Sequence, residues 1–142
     1  MERMIILGSH GSLAAGMASS LEIILGKTMV VKTVNAYVED DFDLAKEVKD
    51  IIETNQGKEL IIITDIMGGS VNSEFMKYLK LSNFYLVAGM SLPLLIELIT
   101  QLELNKVGSV NEIITKVLEG RENFVSFCNQ VVNTAKALED EF

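Results

Sequence analysis

Four short apolar runs alternate with segments of helical spacing, and this alternation constrains the fold more than any other feature of the sequence. The first and third runs are continuous, which is typical of strands buried on both faces of a sheet. We therefore predict strands over residues 3–8, 29–35, 59–64 and 83–88. The segments between and after them predict helices over residues 12–26, 39–54, 70–80, 94–102 and 109–119.

Strands that alternate with helices in this way indicate an α/β fold, in which a doubly wound parallel sheet carries helices on both faces. With four strands we predict the flavodoxin-like order 2-1-3-4, joined by right-handed crossovers. In that order the chain winds in opposite directions from strands one and three, and ligands bind at their carboxyl ends. The chain has the size of one domain, and we assign residues 1–142 to a single domain.

Several helix ends carry clear signals, whereas the last segment of the chain fits two structures. Ser91 and Ser109 are each placed to cap a helix, and the acidic residues 39–41 would open helix two at the positive end of its dipole. The segment from residue 121 fits a helix, but residues 124–127 could also begin an extra C-terminal antiparallel strand. We expect the single cysteine, Cys128, to be a small buried hydrophobe.

Charge and cysteine content exclude several functional classes. The net charge is −8, from 12 basic and 20 acidic residues, which argues against nucleic acid and anionic membranes but suits a partner with a basic patch. The apolar runs are far shorter than the ~20 residues that span a bilayer, and the first is too short for a signal peptide. A single cysteine excludes an internal disulfide. We predict a cytoplasmic protein with no direct membrane insertion.

His10, the only histidine in the chain, lies in a loop directly after the first predicted strand, and Asp65 holds the same place after the third. Because the carboxyl ends of neighbouring parallel strands meet at one edge of a sheet, we expect the two side chains to lie together. A carboxylate that accepts a hydrogen bond from one imidazole nitrogen leaves the other free to attack. We predict that both residues are catalytic. The alternatives are a loop histidine without function and an aspartate that caps a turn.

Glycine and serine residues accompany both predicted catalytic residues. Gly68 and Gly69 precede the third helix, where glycine lets backbone N–H groups approach an anion. Ser70 could donate to a phosphate oxygen or cap that helix, and Ser12 leaves the same two alternatives after Gly11. We predict that these five residues bind phosphate, although turns also use paired glycines freely.

The sequence carries no metal or cofactor motif. One histidine and one cysteine cannot form the usual nitrogen and sulfur ligand sets. The segment around His10 matches neither the dinucleotide fingerprint nor the Walker pattern. The acidic residues 39–41 are better explained as a solvated helix start than as a magnesium site. We therefore expect neither a metal nor a cofactor.

Three segments together resemble the IIA component of the mannose-type sugar phosphotransferase system, a family that also covers fructose, sorbose and related importers. The resemblance covers about residues 3–120. Its segments are ILGSHG at 6–11, DIMGGS at 65–70 and AGMSLPLL at 88–95. All three occur in the family's order and at matching strand ends.

The resemblance implies a phosphotransferase with a covalent phosphohistidine. His10 would take a phosphoryl group from the small histidine phosphocarrier protein and pass it to a IIB component, which phosphorylates the sugar during uptake. Asp65 would hydrogen-bond the ring nitrogen that is not phosphorylated, and the loop 68–70 would lie against the phosphoryl group. The resemblance also implies a homodimer.

The chain departs from the family motif at three places and leaves other functions open. Ile66 and Met67 stand where the motif has threonine and tryptophan, and Val71 stands where it has proline. The phosphotransfer subunit of a dihydroxyacetone kinase shares the fold and the early histidine. A non-catalytic flavodoxin-like binding or regulatory module would explain the acidic charge and the glycine loops. A histidine phosphatase is disfavoured, because Ser9 replaces the arginine that usually precedes its His-Gly pair.

Overall fold

The computed structural model describes residues 1–27 and 30–132. Within these ranges strands and helices alternate up to the fourth helix, after which a fifth helix and a 3₁₀ turn follow without another strand. The elements, in chain order, are β1 Arg3–His10, α1 Leu13–Leu25, β2 Val30–Ala36, α2 Leu44–Thr54, β3 Glu59–Thr64, α3 Ser70–Met76, β4 Phe84–Ala88, α4 Leu92–Leu104, α5 Val110–Glu119 and the 3₁₀ turn Arg121–Asn123. Residue 29, where strand two was predicted to begin, lies outside the described residues.

The strands form one parallel sheet in the order β2-β1-β3-β4, which confirms the predicted fold class and strand order. β1 pairs with a strand on each side, so that Leu7 lies opposite Thr33 of β2 and opposite Ile63 of β3. The chain leaves β1 toward one edge of the sheet and β3 toward the other. The carboxyl ends of β1 and β3 are therefore neighbours.

Apolar side chains cover both faces of the sheet. On β1, Ile5 and Leu7 belong to a cluster with α1, α4 and α5, whereas Ile6 belongs to a second cluster with α2 and α3. β3 repeats the alternation with Ile61 in the first cluster and Ile62 in the second. Burial on both faces explains why these strands are continuous apolar runs in the sequence.

The predicted caps of α4 and α5 are confirmed. The hydroxyl oxygen of Ser91 accepts the N–H of Leu94, and that of Ser109 accepts the N–H of Glu112, each at 3.3 Å. α4 extends beyond the predicted 94–102 at both ends. At its C-terminal end the guanidinium of Arg3 donates to the carbonyl of Leu102 at 3.0 Å, which satisfies a carbonyl that the helix leaves free.

Two other helices differ from the prediction. The acidic residues 39–41 form a turn before α2 and not its first turn, because Asp43 caps the helix by accepting the N–H of Lys46. α3 ends at Met76 and not at residue 80. From Lys77 onward the backbone N–H groups bond to carbonyls three residues back, which replaces the α-helix by tighter turns.

The described part of the C-terminal segment contains no strand. Residues 124–127 are irregular and residues 128–132 are helical, so the possible antiparallel strand is absent up to residue 132. Residues 133–142 lie outside the described residues. Cys128 is exposed, and the expectation that it is buried was wrong. It lies beyond Phe124, whose side chain packs against the core, and its neighbours Phe127 and Val131 are exposed as well.

Gly8 allows α3 to pack close to the end of β1. A Cβ atom at this position would lie 3.0 Å from Cγ1 of Val71 and 3.5 Å from Cε2 of Phe75. Both of those side chains are fully buried. The missing side chain of Gly8 therefore determines how near the first turn of α3 comes to β1.

We expect Gly8→Ala to lower the free energy of unfolding by about 1 to 3 kcal/mol, because the added methyl group overpacks the contact with Val71. Urea unfolding followed by circular dichroism measures this change. Gly16→Ala is the matched control: Gly16 lies in α1 with open space where a Cβ would be. Alanine there should raise stability by about 0.5 to 1 kcal/mol. A Gly8→Ala protein as stable as the wild type would contradict this description of the packing.

Candidate active site

Backbone pairing brings the ends of β1 and β3 together. Gly8 lies opposite Thr64, and the ladder continues for one more hydrogen bond, from the N–H of Asp65 to the carbonyl of Gly8 at 3.1 Å. On its other side β1 remains paired with β2 up to His10, which lies opposite Ala36. His10 is thus the last residue of β1, whereas the sequence predicted that it lies in a loop after the strand. Both predicted catalytic residues are fixed by the sheet.

The structure places the imidazole of His10 against the carboxylate of Asp65. Oδ2 of Asp65 lies 2.8 Å from Nδ1 of His10 and also accepts the backbone N–H of His10 at 2.8 Å. Oδ1 accepts the N–H of Ile66 at 3.0 Å. The side chain of His10 is 44% exposed, whereas that of Asp65 is 12% exposed. The ring can therefore be reached from solvent while the carboxylate that orients it is covered.

The surroundings of Asp65 favour its charged form. Burial by itself raises the pKa of this carboxyl, but hydrogen bonds from the backbone and ring of His10 and from the N–H of Ile66 outweigh that effect and hold the pKa below its ordinary value of 3.8. An ionised carboxylate can only accept hydrogen bonds. In the neutral ring, Nδ1 therefore carries the proton and Nε2 keeps its lone pair.

Two hydroxyl groups form a chain of hydrogen bonds that ends at Nε2 of His10. Oγ of Ser70 lies 3.2 Å from Nε2 of His10, and the hydroxyl oxygen of Tyr37 lies 2.7 Å from Oγ of Ser70. Ser70 is the first residue of α3 and not its cap, because Gly69 occupies the N-cap position. The serine hydroxyl is therefore available to the ring.

Gly69 lets the loop before α3 approach the imidazole. A Cβ atom there would lie 3.1 Å from Cε1 of His10 and 2.8 Å from Cγ2 of Ile66, so a larger residue would force a shift. The N–H of Gly69 donates to the carbonyl of Ile66, and the N–H of Gly68 donates to Oδ1 of Asn72. Gly69 thus provides the close approach, whereas Gly68 adopts a left-handed φ of 78° with open space where a Cβ would be, and the N–H groups of both are engaged within the loop.

Buried polar groups anchor that loop to the sheet. Asn72 is 1% exposed, and its Nδ2 donates to Oγ1 of Thr64 at 3.0 Å while its Oδ1 receives the N–H of Gly68. Thr64 in turn donates to the carbonyl of Val87 in β4. A buried polar group without a partner costs about 1 to 3 kcal/mol, so this set favours one position of the loop.

The predicted phosphate-binding residues after β1 have a different environment. Gly11 has a φ of 59°, which favours glycine, and it turns the chain from β1 into α1. Ser12 occupies the N-cap of α1 but makes no capping hydrogen bond with its side chain, and the buried hydroxyl of Ser9 accepts the N–H of Ala14 instead. In the described residues, Ser70 is the member of the predicted set that hydrogen-bonds the ring.

Sequence reasoning missed Tyr37, whose ring lies beside that of His10 with the centroids 5.8 Å apart. Tyr37 directly follows β2, the other neighbour of β1. The rule that parallel strand ends share one edge of the sheet, applied to β2 as well, would have singled it out. Its φ of 67° lies in the left-handed region that non-glycine residues rarely adopt, and no sequence signal predicts that conformation.

Metal-binding clusters and membrane-spanning helices are absent from residues 1–27 and 30–132. No group of three or more histidine, cysteine, aspartate or glutamate side chains in those ranges could hold a metal ion. No helix there is long and apolar enough to cross a bilayer.

The groups that hydrogen-bond the imidazole of His10 are the carboxylate of Asp65 and the hydroxyl of Ser70.

We expect the stabilising effect of the Asp65 carboxylate to fade at acid pH. Its pKa is lower in the folded protein than the 3.8 of the unfolded chain, so the native state binds fewer protons and loses stability as the pH falls below 3.8 and through the lower pKa of the folded state. In urea unfolding, Asp65→Asn should be less stable than the wild type by about 1 to 3 kcal/mol near pH 7, and this difference should shrink near pH 3.

Asp50→Asn is the matched control for that measurement. Asp50 is exposed on α2, and its carboxylate makes no hydrogen bond within the described ranges. We expect this variant and the wild type to respond to pH alike. If the difference between the wild type and Asp65→Asn were the same at both pH values, the carboxylate of Asp65 would not be held by the hydrogen bonds described above.

Comparison with known proteins agrees with this fold and identifies a family. Residues 4–117 match the model of a family described as the PTS system fructose IIA component, or EIIA-man, where PTS is the sugar phosphotransferase system. A crystal structure from Klebsiella pneumoniae, provisionally assigned as a phosphoenolpyruvate-dependent PTS permease, is 39% identical with a TM-score of 0.84. The alignment covers 93% of this chain and 95% of that chain. No curated protein matches the chain.

Two further structures share the fold at lower identity. The PTS IIA protein associated with the fucose utilization operon of Streptococcus pneumoniae is 26% identical, with a TM-score of 0.72 over 93% of this chain and 97% of that chain. The mannose/sorbose-specific IIA subunit from Enterococcus faecalis is 20% identical, with a TM-score of 0.73 over 89% and 94%. The family match spans most of the sequence, and the chain therefore belongs to the mannose-type family of PTS IIA components.

Proposed function

We propose that this protein is the phosphoryl relay subunit of a phosphoenolpyruvate-dependent sugar phosphotransferase system. Nε2 of His10 accepts a phosphoryl group from the histidine phosphocarrier protein and passes it to a IIB component for sugar uptake. Family membership supports the general part of this assignment, a role in sugar phosphotransfer with phosphocarrier and IIB partners. The observation that carries the specific part is the 2.8 Å contact between Nδ1 of His10 and Oδ2 of Asp65.

That contact makes Nε2 the nucleophile of the proposed reaction. Its lone pair attacks phosphorus, so that a new N–P bond forms while the N–P bond of the donor histidine breaks and its electron pair returns to the donor nitrogen. No proton has to leave, because the Nδ1 proton stays in its hydrogen bond with Asp65. The ring becomes cationic when Nε2 gives up its lone pair, and the neighbouring carboxylate stabilises that charge. Transfer to the IIB component reverses these steps.

Exposed apolar side chains near the candidate site support docking of a protein partner. Leu13, Val38, Ile66 and Met67 are 45% to 69% exposed, and each lies within three residues of His10, Tyr37 or Asp65 along the chain. Exposed apolar patches mark contact sites for other molecules. The acidic residues 39–41 follow Val38, and the net charge is −8, which suits a phosphocarrier with a basic patch.

For the phosphoryl group itself, we propose that Ser70 donates a hydrogen bond to one of its oxygens. We propose that Gly11, Ser12, Gly68 and Gly69, which lie in the two loops after β1 and β3, also contribute to the binding of the phosphoryl group. We further propose that residues 1–142 form a single IIA domain that acts as a homodimer in the cytoplasm. Exposed apolar side chains away from the site, including 73% exposed Leu104 and 64% exposed Phe127, support the homodimer.

We expect incubation with radiolabelled phosphoenolpyruvate, the general phosphotransfer enzyme and the phosphocarrier to give one acid-labile phosphoryl group per chain on His10. His10→Ala should take up no label, because it lacks the nucleophile. Omitting the phosphocarrier controls for direct labelling by the other components. Labelling of His10→Ala at the wild-type rate would show that another residue is phosphorylated and would refute the assignment.

We expect Asp65→Ala to fold and to accept phosphoryl groups about 10²-fold more slowly, because the cationic ring loses its stabilising carboxylate. Rapid-quench measurement of the labelling rate tests this, with circular dichroism to establish that the variant is folded. Asp50→Ala, on the exposed face of α2, is the control and should label at the wild-type rate. Unchanged kinetics in Asp65→Ala would remove Asp65 from the mechanism.

A further inference from the structure

We propose that Tyr37 is a positioning residue that acts on Nε2 of His10 through the hydroxyl of Ser70. The hydroxyl oxygen of Tyr37 lies 2.7 Å from Oγ of Ser70, which lies 3.2 Å from Nε2. The consequence for phosphoryl transfer rests on the proposed function, whereas the arrangement of the three groups can be tested on the free protein.

The chemistry of the partners determines the direction of both hydrogen bonds. Asp65 is an acceptor, so in the neutral ring the proton is on Nδ1 and Nε2 must accept. Ser70 therefore donates its proton to Nε2. Its oxygen then accepts the proton of Tyr37, whose distance of 2.7 Å is typical of an O–H···O hydrogen bond. The tyrosine proton thus fixes the direction in which the serine proton points.

Tyr37 is held in this place against a conformational cost. Its φ of 67° lies in the left-handed region, which is unfavourable for a residue that carries a side chain. Its ring packs edge-on against Phe42 at 5.9 Å and beside His10 at 5.8 Å, and its hydroxyl makes the bond to Ser70. These three contacts offset the cost and keep the hydroxyl aimed at Ser70 although the side chain is 56% exposed.

The neighbouring loop supplies no alternative hydroxyl. Ile66 and Met67, which follow Asp65, carry apolar side chains that cannot donate a hydrogen bond.

When a phosphoryl group occupies Nε2, the lone pair that accepted the Ser70 proton is gone, and the serine can turn its proton to a phosphoryl oxygen. Tyr37 continues to donate to Oγ of Ser70 and so restricts the serine to that direction. This makes Ser70 a stronger donor to the transferred group.

The first test uses ¹⁵N NMR of the imidazole in the free protein, at a pH where the ring is neutral. His10 is the only histidine, so the spectrum contains one pair of ring nitrogen signals. Ser70→Ala should move the Nε2 signal toward that of an imidazole nitrogen without a hydrogen bond. Tyr37→Phe removes only the hydroxyl, and it should move Nε2 in the same direction by a smaller amount while Nδ1 stays unchanged.

The double variant decides whether Tyr37 acts through Ser70. In the Ser70→Ala background, Tyr37→Phe should produce no further shift of Nε2, because the connecting hydroxyl is already gone. Tyr85→Phe is the matched control and should leave both ring signals unchanged, since Tyr85 lies on β4, two strands away from β1. An Nε2 signal that Tyr37→Phe leaves at its wild-type position would overturn the proposal. So would a shift of equal size with and without the Ser70 hydroxyl.

The second test measures phosphoryl transfer in the labelling assay. Tyr37→Phe should slow phosphoryl uptake and shorten the half-life of the phosphohistidine, each by about 2- to 10-fold, as expected for one hydrogen bond. Both effects should vanish in the Ser70→Ala background. Equal urea midpoints for Tyr37→Phe and the wild type would show that the fold is intact.

The outcomes separate this inference from the proposed function. If the wild type takes up label and Tyr37→Phe behaves like it, the positioning role is wrong while the relay function stands. If the wild type takes up no label, the relay function is wrong, and the NMR shifts still decide whether Tyr37 positions Ser70 against the ring.

Discussion

The hydrogen bonds of β1 to its two neighbours determine where the candidate site is built. On one side the ladder ends with the N–H of Asp65 on the carbonyl of Gly8, and on the other with the N–H of Gly11 on the carbonyl of Ala36. His10 lies between these two bonds, so its backbone is fixed from both directions. A register shift of one residue would turn its side chain to the other face of the sheet. The 2.8 Å contact with Asp65 therefore depends on the sheet.

Two glycines and one buried amide then bring α3 to the ring. Gly8 leaves room for Val71, and Gly69 leaves room for the imidazole itself. Asn72 links the loop before α3 to Thr64 on β3, so the loop moves only if buried hydrogen bonds break. Ser70, the first residue of α3, reaches Nε2 of His10 as a result of this packing.

The two ring nitrogens of His10 consequently have different partners. Nδ1 faces a charged acceptor held by backbone N–H groups, whereas Nε2 faces a hydroxyl that can turn away. A fixed acceptor at Nδ1 and a movable donor at Nε2 are the partners that Nε2 would need to bind and release a phosphoryl group. The ring is 44% exposed, which a transfer between proteins requires. The proposed reaction needs no proton transfer, because the Nδ1 proton would stay in its hydrogen bond with Asp65.

Much of the fold followed from local pattern, because burial on both faces makes a parallel strand recognisable as a continuous apolar run. The alternation of four apolar runs with helical segments predicted the sheet order, and the ends of the first and third runs located His10 and Asp65. Local errors arose where two capping residues compete, as when Asp43 and not the acidic residues 39–41 began α2. The prediction that Cys128 is buried was wrong because the hydrophobicity of a residue does not show where along the chain the core ends.

Sequence pattern was sufficient to predict the strand order, the caps of α4 and α5, and the pairing of a histidine with an aspartate at one edge of the sheet. These depend on periodicity and on residue type, which can be read along the chain. Only the folded structure shows that Ser70 meets Nε2 of His10, that Tyr37 meets Ser70, and that the N–H groups of Gly68 and Gly69 are already engaged. The contacts of Ser70 with His10 and with Tyr37 join residues 60 and 33 positions apart, and the second also depends on the left-handed φ of Tyr37. No pattern along the sequence predicts how closely α3 packs against β1, and none predicts the φ of Tyr37.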